Sequence, residues 1–246
     1  MRNAIIRLGL AGLVLTSLSV GTSAGSQRPA ASEPIEMQLR LKTGNYWIYQ
    51  GIVEWTYVSH GEQPARFGKK EITWKSEIVE EIDHGLLKAY IVSGSFEDLP
   101  WYEPGKKPGK YLWIVYKNRF YTRTLDPETL TRVRDKADAL VTLIESDQPV
   151  LQFPLQLNRC TSELKPDQPA RDDLNYCWYV AGKTRRGVRS SGVPPSPAEI
   201  WTANYRTMPD FQALSFAPGT GFVAYDFSHH GTLSEAHVKL VEAHLR

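Results

Sequence analysis

Four of the six histidines of this chain fall between Ala217 and Leu245, in the run APGTGFVAYDFSHHGTLSEAHVKLVEAHL. Within it, His229, His230, Glu235 and His237 supply neutral imidazoles and a carboxylate, the ligand types that zinc or copper accepts. A hairpin would bring the two sides together. Against a metal centre, adjacent histidines in a strand point to opposite faces. Glu235 and His237 also fall on the polar side of the following strand, and an HExxH pair is absent. The simpler reading makes His229 and His230 turn residues. A second chemistry is hydrolysis, with Asp226 and His229 or His230 orienting a serine, but no GxSxG elbow is present. Phosphate-loop and dinucleotide motifs are missing as well, and no cofactor is implied.

Both chemistries need a frame, and the turns around them suggest one. Pro218-Gly219-Thr220-Gly221 leads into Phe222 to Ser228, where Val223, Tyr225 and Phe227 alternate with Phe222, Ala224 and Asp226, as expected of a central strand. His229-His230-Gly231-Thr232 reads as the turn of a hairpin. Leu233 to Leu245 fits either period: Ala236, Val238 and Leu240 alternate, while Leu233, Ala236, Leu240 and Ala243 would share a helix face. The hairpin turn makes a return strand the reading adopted.

Earlier in the chain, Tyr46 to Val58 alternates with Trp47, Tyr49, Gly51, Val53, Trp55 and Tyr57 on one face. Lys70 to Ile82 and Leu86 to Phe96 continue as a meander, with His84 in the turn between them. Pro100, Pro104 and Pro108 exclude a ladder and predict a wide loop. Tyr111 to Tyr116 and Arg119 to Thr124 pair as a hairpin around Lys117-Asn118. The period then changes. Asp126 at a cap, Pro127 at the first turn and Leu130, Val133, Ala137, Leu140, Val141 and Ile144 at helical spacing predict one amphipathic helix lying on a sheet face. Val150 to Leu157, interrupted by Pro154, suits an edge strand or extended segment. Leu174 to Ala181, Ile200 to Thr207 and Phe211 to Phe216 are further strands. The cluster Lys183, Arg185, Arg186 and Arg189, broken by Gly187, reads as a solvated loop.

The ends set the compartment. Arg2 and Arg7 precede an uncharged apolar run from Leu8 to Val20 and the small residues Gly21 to Ala24, which is the pattern of a secretory leader over residues 1–24. The run is shorter than the ~20 residues of a spanning helix, so no transmembrane anchor is expected after cleavage. Residues 25–38 read as a flexible tail and 39–246 as one β-rich domain, a size that all-β folds reach as single units. The chain has 29 basic and 27 acidic residues, and losing Arg2 and Arg7 with the leader makes the two signs equal. Charge thus gives no support to nucleic-acid binding. Cys160 and Cys177 are the only cysteines, and in a secreted or periplasmic chain they most simply form one disulfide. That bond closes a Pro-containing, charge-rich segment and is worth about 3 kcal/mol in the chain-entropy model.

The layout GNYWIY near the mature start, VLQFPLQL in the middle and PGTGFVAYDFSHHGTLSEAHVKL at the end resembles a loosely defined group of exported bacterial envelope proteins of unknown function. That resemblance implies a strongly bent antiparallel sheet or half-open barrel with a helix against it, like lipoprotein-carrier or lipocalin-like half-barrels. It implies no catalytic residues. The expected fold is therefore mainly β, and the leading function is a non-enzymatic binding or structural protein of the envelope. Its partner would be a small apolar ligand or another envelope protein. Trp47, Trp55, Trp101, Tyr102 and Trp113, with Trp178, are the residues that would line an aromatic cleft. The competing reading is that they form the core. A metal-dependent or Ser/His hydrolase built on the His229/His230 region is the alternative function.

Overall fold

The computed structural model describes residues 34–57, 66–135, 141, 142, 144, 146–162, 173–187, 191, 197–230 and 234–246. Residues 1–24, expected as a secretory leader, and Arg189 lie outside these residues. Among the described residues eleven strands form one antiparallel sheet that curls into a nearly closed barrel with an unsealed seam. They are β1 (Tyr46–Tyr57), β2 (Arg66–Asp83), β3 (Leu87–Ser93), β4 (Lys110–Tyr116), β5 (Arg119–Thr124), β6 (Leu151–Gln152), β7 (Trp178–Gly187), β8 (Pro197–Arg206), β9 (Asp210–Ala217), β10 (Gly221–His229) and β11 (Ser234–His244). The order around the barrel runs β6-β5-β4-β3-β2-β1-β11-β10-β9-β8-β7, so every neighbour follows in sequence except where β1 meets β11. Pairing of the first strand with the last curls the sheet back on itself. The segment Ser234–His244 is a strand, as the hairpin turn before it requires.

Alternation along β1 puts Trp47, Tyr49 and Val53 inside, all essentially inaccessible. They join Ile72, Trp74, Tyr90, Trp113, Phe120, Phe216, Phe222, Tyr225, Phe227 and Val238 in one interior cluster. A second cluster lies on the outer face of β3, β4 and β5, made of Leu87, Ala89, Ile91, Leu112, Ile114 and Tyr121. Helix α2 (Pro127–Asp135) covers it through Val133, and Ile144 belongs to the same cluster with Leu130 and Val141 packed around it. Burial on both faces explains why KYLWIVY and LKAYIVS are nearly continuous apolar runs. The Asp126 carboxylate caps α2 by accepting from the Thr129 N–H at 2.8 Å, as the sequence predicts. His84 is more than a turn residue: its Nε2 lies 2.7 Å from the Val133 carbonyl oxygen near the end of α2. Ala137 and Leu140 fall outside the described residues.

A short helix, α1 (Ile35–Leu39), buries Ile35 and Leu39. Packed structure therefore reaches into the stretch expected as tail. Gln38 accepts from the Gly219 N–H at 2.7 Å, so α1 sits against the β9–β10 turn. Gly221, at φ 92°, passes so close that an added Cβ would stand 2.9 Å from the Leu39 oxygen.

Two local expectations are corrected. Lys183, Arg185 and Arg186 are strand residues of β7 rather than a loop, with Arg185 opposite Glu199 on β8. Strand β7 flanks the seam, and charged side chains on such an edge resist pairing with another chain. Phe96 leaves the ladder and starts a 3₁₀ turn, Phe96–Asp98, that points into the barrel.

Candidate ligand-binding site

Strands β3 and β4 stop short of the far end of β1 and β2, and the connection 94–109 folds inward to fill the space. Several hydrogen bonds hold it. Gly94, at φ 76°, packs where a Cβ would come within 2.2 Å of the Lys75 carbonyl oxygen, so the turn requires glycine. Trp74 Nε1 donates to the Gly94 oxygen at 3.0 Å. Asp98, 3% exposed, accepts from the Gly109 N–H at 2.8 Å and from the Tyr111 hydroxyl at 2.9 Å. Phe96 then stacks on Tyr225 at 5.3 Å and meets Tyr49 and Phe222 edge-on at 5.0 and 5.5 Å.

The inserted turn carries Glu97 to the wall of an internal cavity of about 140 Å³. Phe96, Trp113, Trp178, Phe222 and Tyr225 provide its aromatic walls, and Val150 and Leu214 its aliphatic ones. Ser95, Thr122 and Gln212 add polar groups, and among the described residues Glu97 is the one charged side chain of the lining. Trp113 Nε1 donates to Ser95 Oγ at 3.0 Å, and Ser95 in turn donates to the Glu97 carboxylate. Burial pushes the Glu97 carboxyl above its ordinary value, against the opposing pull of hydrogen bonds from Ser95 and Thr122. Burial also raises the Tyr225 hydroxyl well above the usual phenol range, and the nearby Glu97 charge acts in the same direction. Tyr225 donates to Gln212 Oε1 at 3.3 Å.

The cavity lies against the seam. Thr122 on β5, Val150 just before β6 and Trp178 on β7 all line it. Strand β6 pairs with β5 only at Arg119 and Phe120, so the ladder ends before Thr122. Beyond β6 the chain crosses to β7, where the Asn158 and Thr161 N–H groups donate to the Val180 and Trp178 oxygens, each at 2.8 Å. Cys160 and Cys177 form a disulfide at this crossing.

Of the aromatic residues singled out in the sequence, Trp113 and Trp178 line the cavity. Trp47 is buried behind them, 6.2 Å from Trp113, with its Nε1 donating to the Thr220 oxygen at 2.7 Å. Trp55 and the buried Tyr102 pack together at 5.9 Å, away from the cavity lining. Trp101 is 51% exposed and lies over His229 at 4.5 Å. Sequence reasoning missed Glu97: in SFEDLP it looks like the polar end of a strand, and no local pattern signals that the turn is driven inward.

The histidine set does not converge. In the β10–β11 register His229 pairs with Ser234, whereas His237 pairs with Asp226 and Glu235 with Ser228. His229 therefore shares the inner side with Phe227, while Glu235 and His237 take the opposite face. Their partners also differ from those expected. His229 Nδ1 lies 2.6 Å from Asp210, and Asp226 pairs instead with His237 Nδ1 at 2.8 Å. His230 contributes its backbone N–H to the Pro209 oxygen. Ser234, opposite His229, accepts from the Trp101 N–H at 3.3 Å. Among the described residues no group of three or more His, Cys, Asp or Glu side chains is arranged to hold a metal ion.

No family model matches the chain, and no curated protein matches it. Among solved structures, the chain is similar to a Bacteroides fragilis protein with a YmcC-like fold, assigned as exported. The TM-score is 0.37 at 7% identity, covering 82% of this chain and 96% of that one.

Proposed function

We propose that the protein is an exported, non-enzymatic binding module of the cell envelope that holds a small, largely apolar ligand in the cavity beside its seam. The observation that carries this reading is the cavity itself, an aromatic-walled space of about 140 Å³ next to the one interrupted part of the barrel wall. Its size selects among ligands. Drug-sized sites occupy about 300–1,000 Å³, whereas a cavity of about 150 Å³ takes benzene. The occupant is therefore about one ring in size, and a whole lipid does not fit the cavity in this conformation. The leader-like N-terminus and the disulfide support an oxidising compartment outside the cytoplasm. No helix among the described residues is long and apolar enough to cross a membrane.

Titration with toluene, followed through the indole N–H signals of Trp113 and Trp178, tests the reading. Saturable shifts are expected, and they should vanish in Leu214→Trp, which fills the cavity. Native mass spectrometry of protein released gently from an exported compartment should show a retained small mass that the same variant lacks. Absence of any saturable shift in folded wild-type protein means that the aromatic cluster is core alone.

A further inference from the structure

We infer that the ligand of this cavity is a small organic cation, an amine or methylated ammonium group carried on an apolar body, whose charge is received by Glu97 and the surrounding rings. The inference rests on the binding role proposed above and names the ligand's chemistry. Three observations converge on it.

Among the described residues Glu97 is the one charged side chain lining the cavity, and no lysine, arginine or histidine of that set pairs with it. Glu97 is half-buried, and a carboxylate partly withdrawn from water is favoured by a neutralising partner. Among the described residues no side chain supplies a countercharge, and a bound cation would.

The hydrogen bonds around Glu97 are directed toward a carboxylate. Trp113 donates to Ser95 and Ser95 donates to Glu97, while Thr122 adds a further side-chain hydrogen bond. These groups hold the carboxyl in place and favour its charged form once a cation compensates it.

The remaining walls complete the chemistry. Trp113, Trp178, Phe222 and Tyr225 surround the same space, and aromatic faces attract ammonium groups most strongly when both are shielded from water. An ammonium group at Glu97 with a one-ring body among the aromatics uses both the charge and the volume of the site.

Benzylamine and benzyl alcohol, which share size and shape but not charge, provide the test by calorimetry or indole N–H shifts at pH 7. Benzylamine is expected to bind at least tenfold more tightly than benzyl alcohol, and Glu97→Gln should reduce that preference below about twofold. The wild-type comparison needs no variant, so it decides the matter even if Glu97→Gln fails to fold. Equal or tighter binding of benzyl alcohol overturns the cation and leaves the pocket standing. Binding of toluene but of neither benzyl compound also overturns it. Failure of all three overturns the binding reading itself.

Discussion

Cys160 and Cys177 are bonded beside the seam of the barrel, with their Cα atoms 5.6 Å apart. Cys160 lies in the segment that has crossed from β6 to pair with β7, and Cys177 immediately precedes β7, so the bond ties the crossing segment to the start of β7.

Removing this bond should open the wall beside the cavity. A Cys160→Ala/Cys177→Ala protein is expected to lose about 3 kcal/mol of stability, the chain-entropy value for a loop of this size. Hydrogen exchange locates the effect: the Asn158 and Thr161 amides, which bond to β7, should lose protection before those of β3 and β4. Equal loss everywhere would show that the bond acts only on global stability.

Gly51 is fixed by backbone contact. An added Cβ there would lie 1.8 Å from the His237 carbonyl oxygen, so Gly51→Ala must push β1 and β11 apart in the middle of the sheet. A destabilisation of about 1–3 kcal/mol, the usual cost of overpacking, is expected in urea unfolding. An unchanged midpoint would mean that the two strands separate freely at this point.

Asp98 anchors the turn that delivers Glu97. Asp98→Ala leaves the Gly109 N–H and the buried Tyr111 hydroxyl without their acceptor, at about 1–3 kcal/mol for each group. Asp98→Asn retains one oxygen acceptor and should recover part of the loss. Near-ultraviolet circular dichroism should change with the alanine variant, because Phe96 and its ring partners move with the turn. Equal stability of the two variants would show that these acceptors are dispensable.

Glu97 makes stability depend on pH in the sense opposite to a paired surface carboxylate. Its folded value lies above the ordinary carboxylate value, so the folded state holds the proton more tightly than the unfolded chain. Stability is therefore greatest below the unfolded value of about 4.3 and falls as pH rises through the folded value. Glu97→Gln should flatten this fall in ligand-free protein, measured by urea unfolding across pH 4 to 8. Parallel curves for the two proteins would show that Glu97 is solvated in solution.

Much of the strand layout was legible in the sequence because side-chain alternation and turn chemistry are local. Trp47, Tyr49 and Val53 declare an inner face by their spacing, and Asp126-Pro127 announces the start of α2. The pair Cys160 and Cys177 has no other partner within the chain. Even the return strand Ser234–His244 followed from a turn rather than from its own ambiguous period.

What the local pattern leaves open is which faces meet after closure. The spacing of His229, His230, Glu235 and His237 permits convergence, but the strand register places His229 and His237 on opposite faces. Trp47 finds its acceptor 173 residues away at Thr220, a contact set by the pairing of β1 with β11. Glu97 likewise has a neutral-looking neighbourhood in sequence and a desolvated one in space. Composition and periodicity determined that this chain builds antiparallel strands with an aromatic face, while the bend of the sheet was implied only by the resemblance. Tertiary structure alone decided that the sheet closes and that its 94–109 connection turns inward to place one carboxyl among aromatic rings, because burial and charge balance depend on long-range contacts.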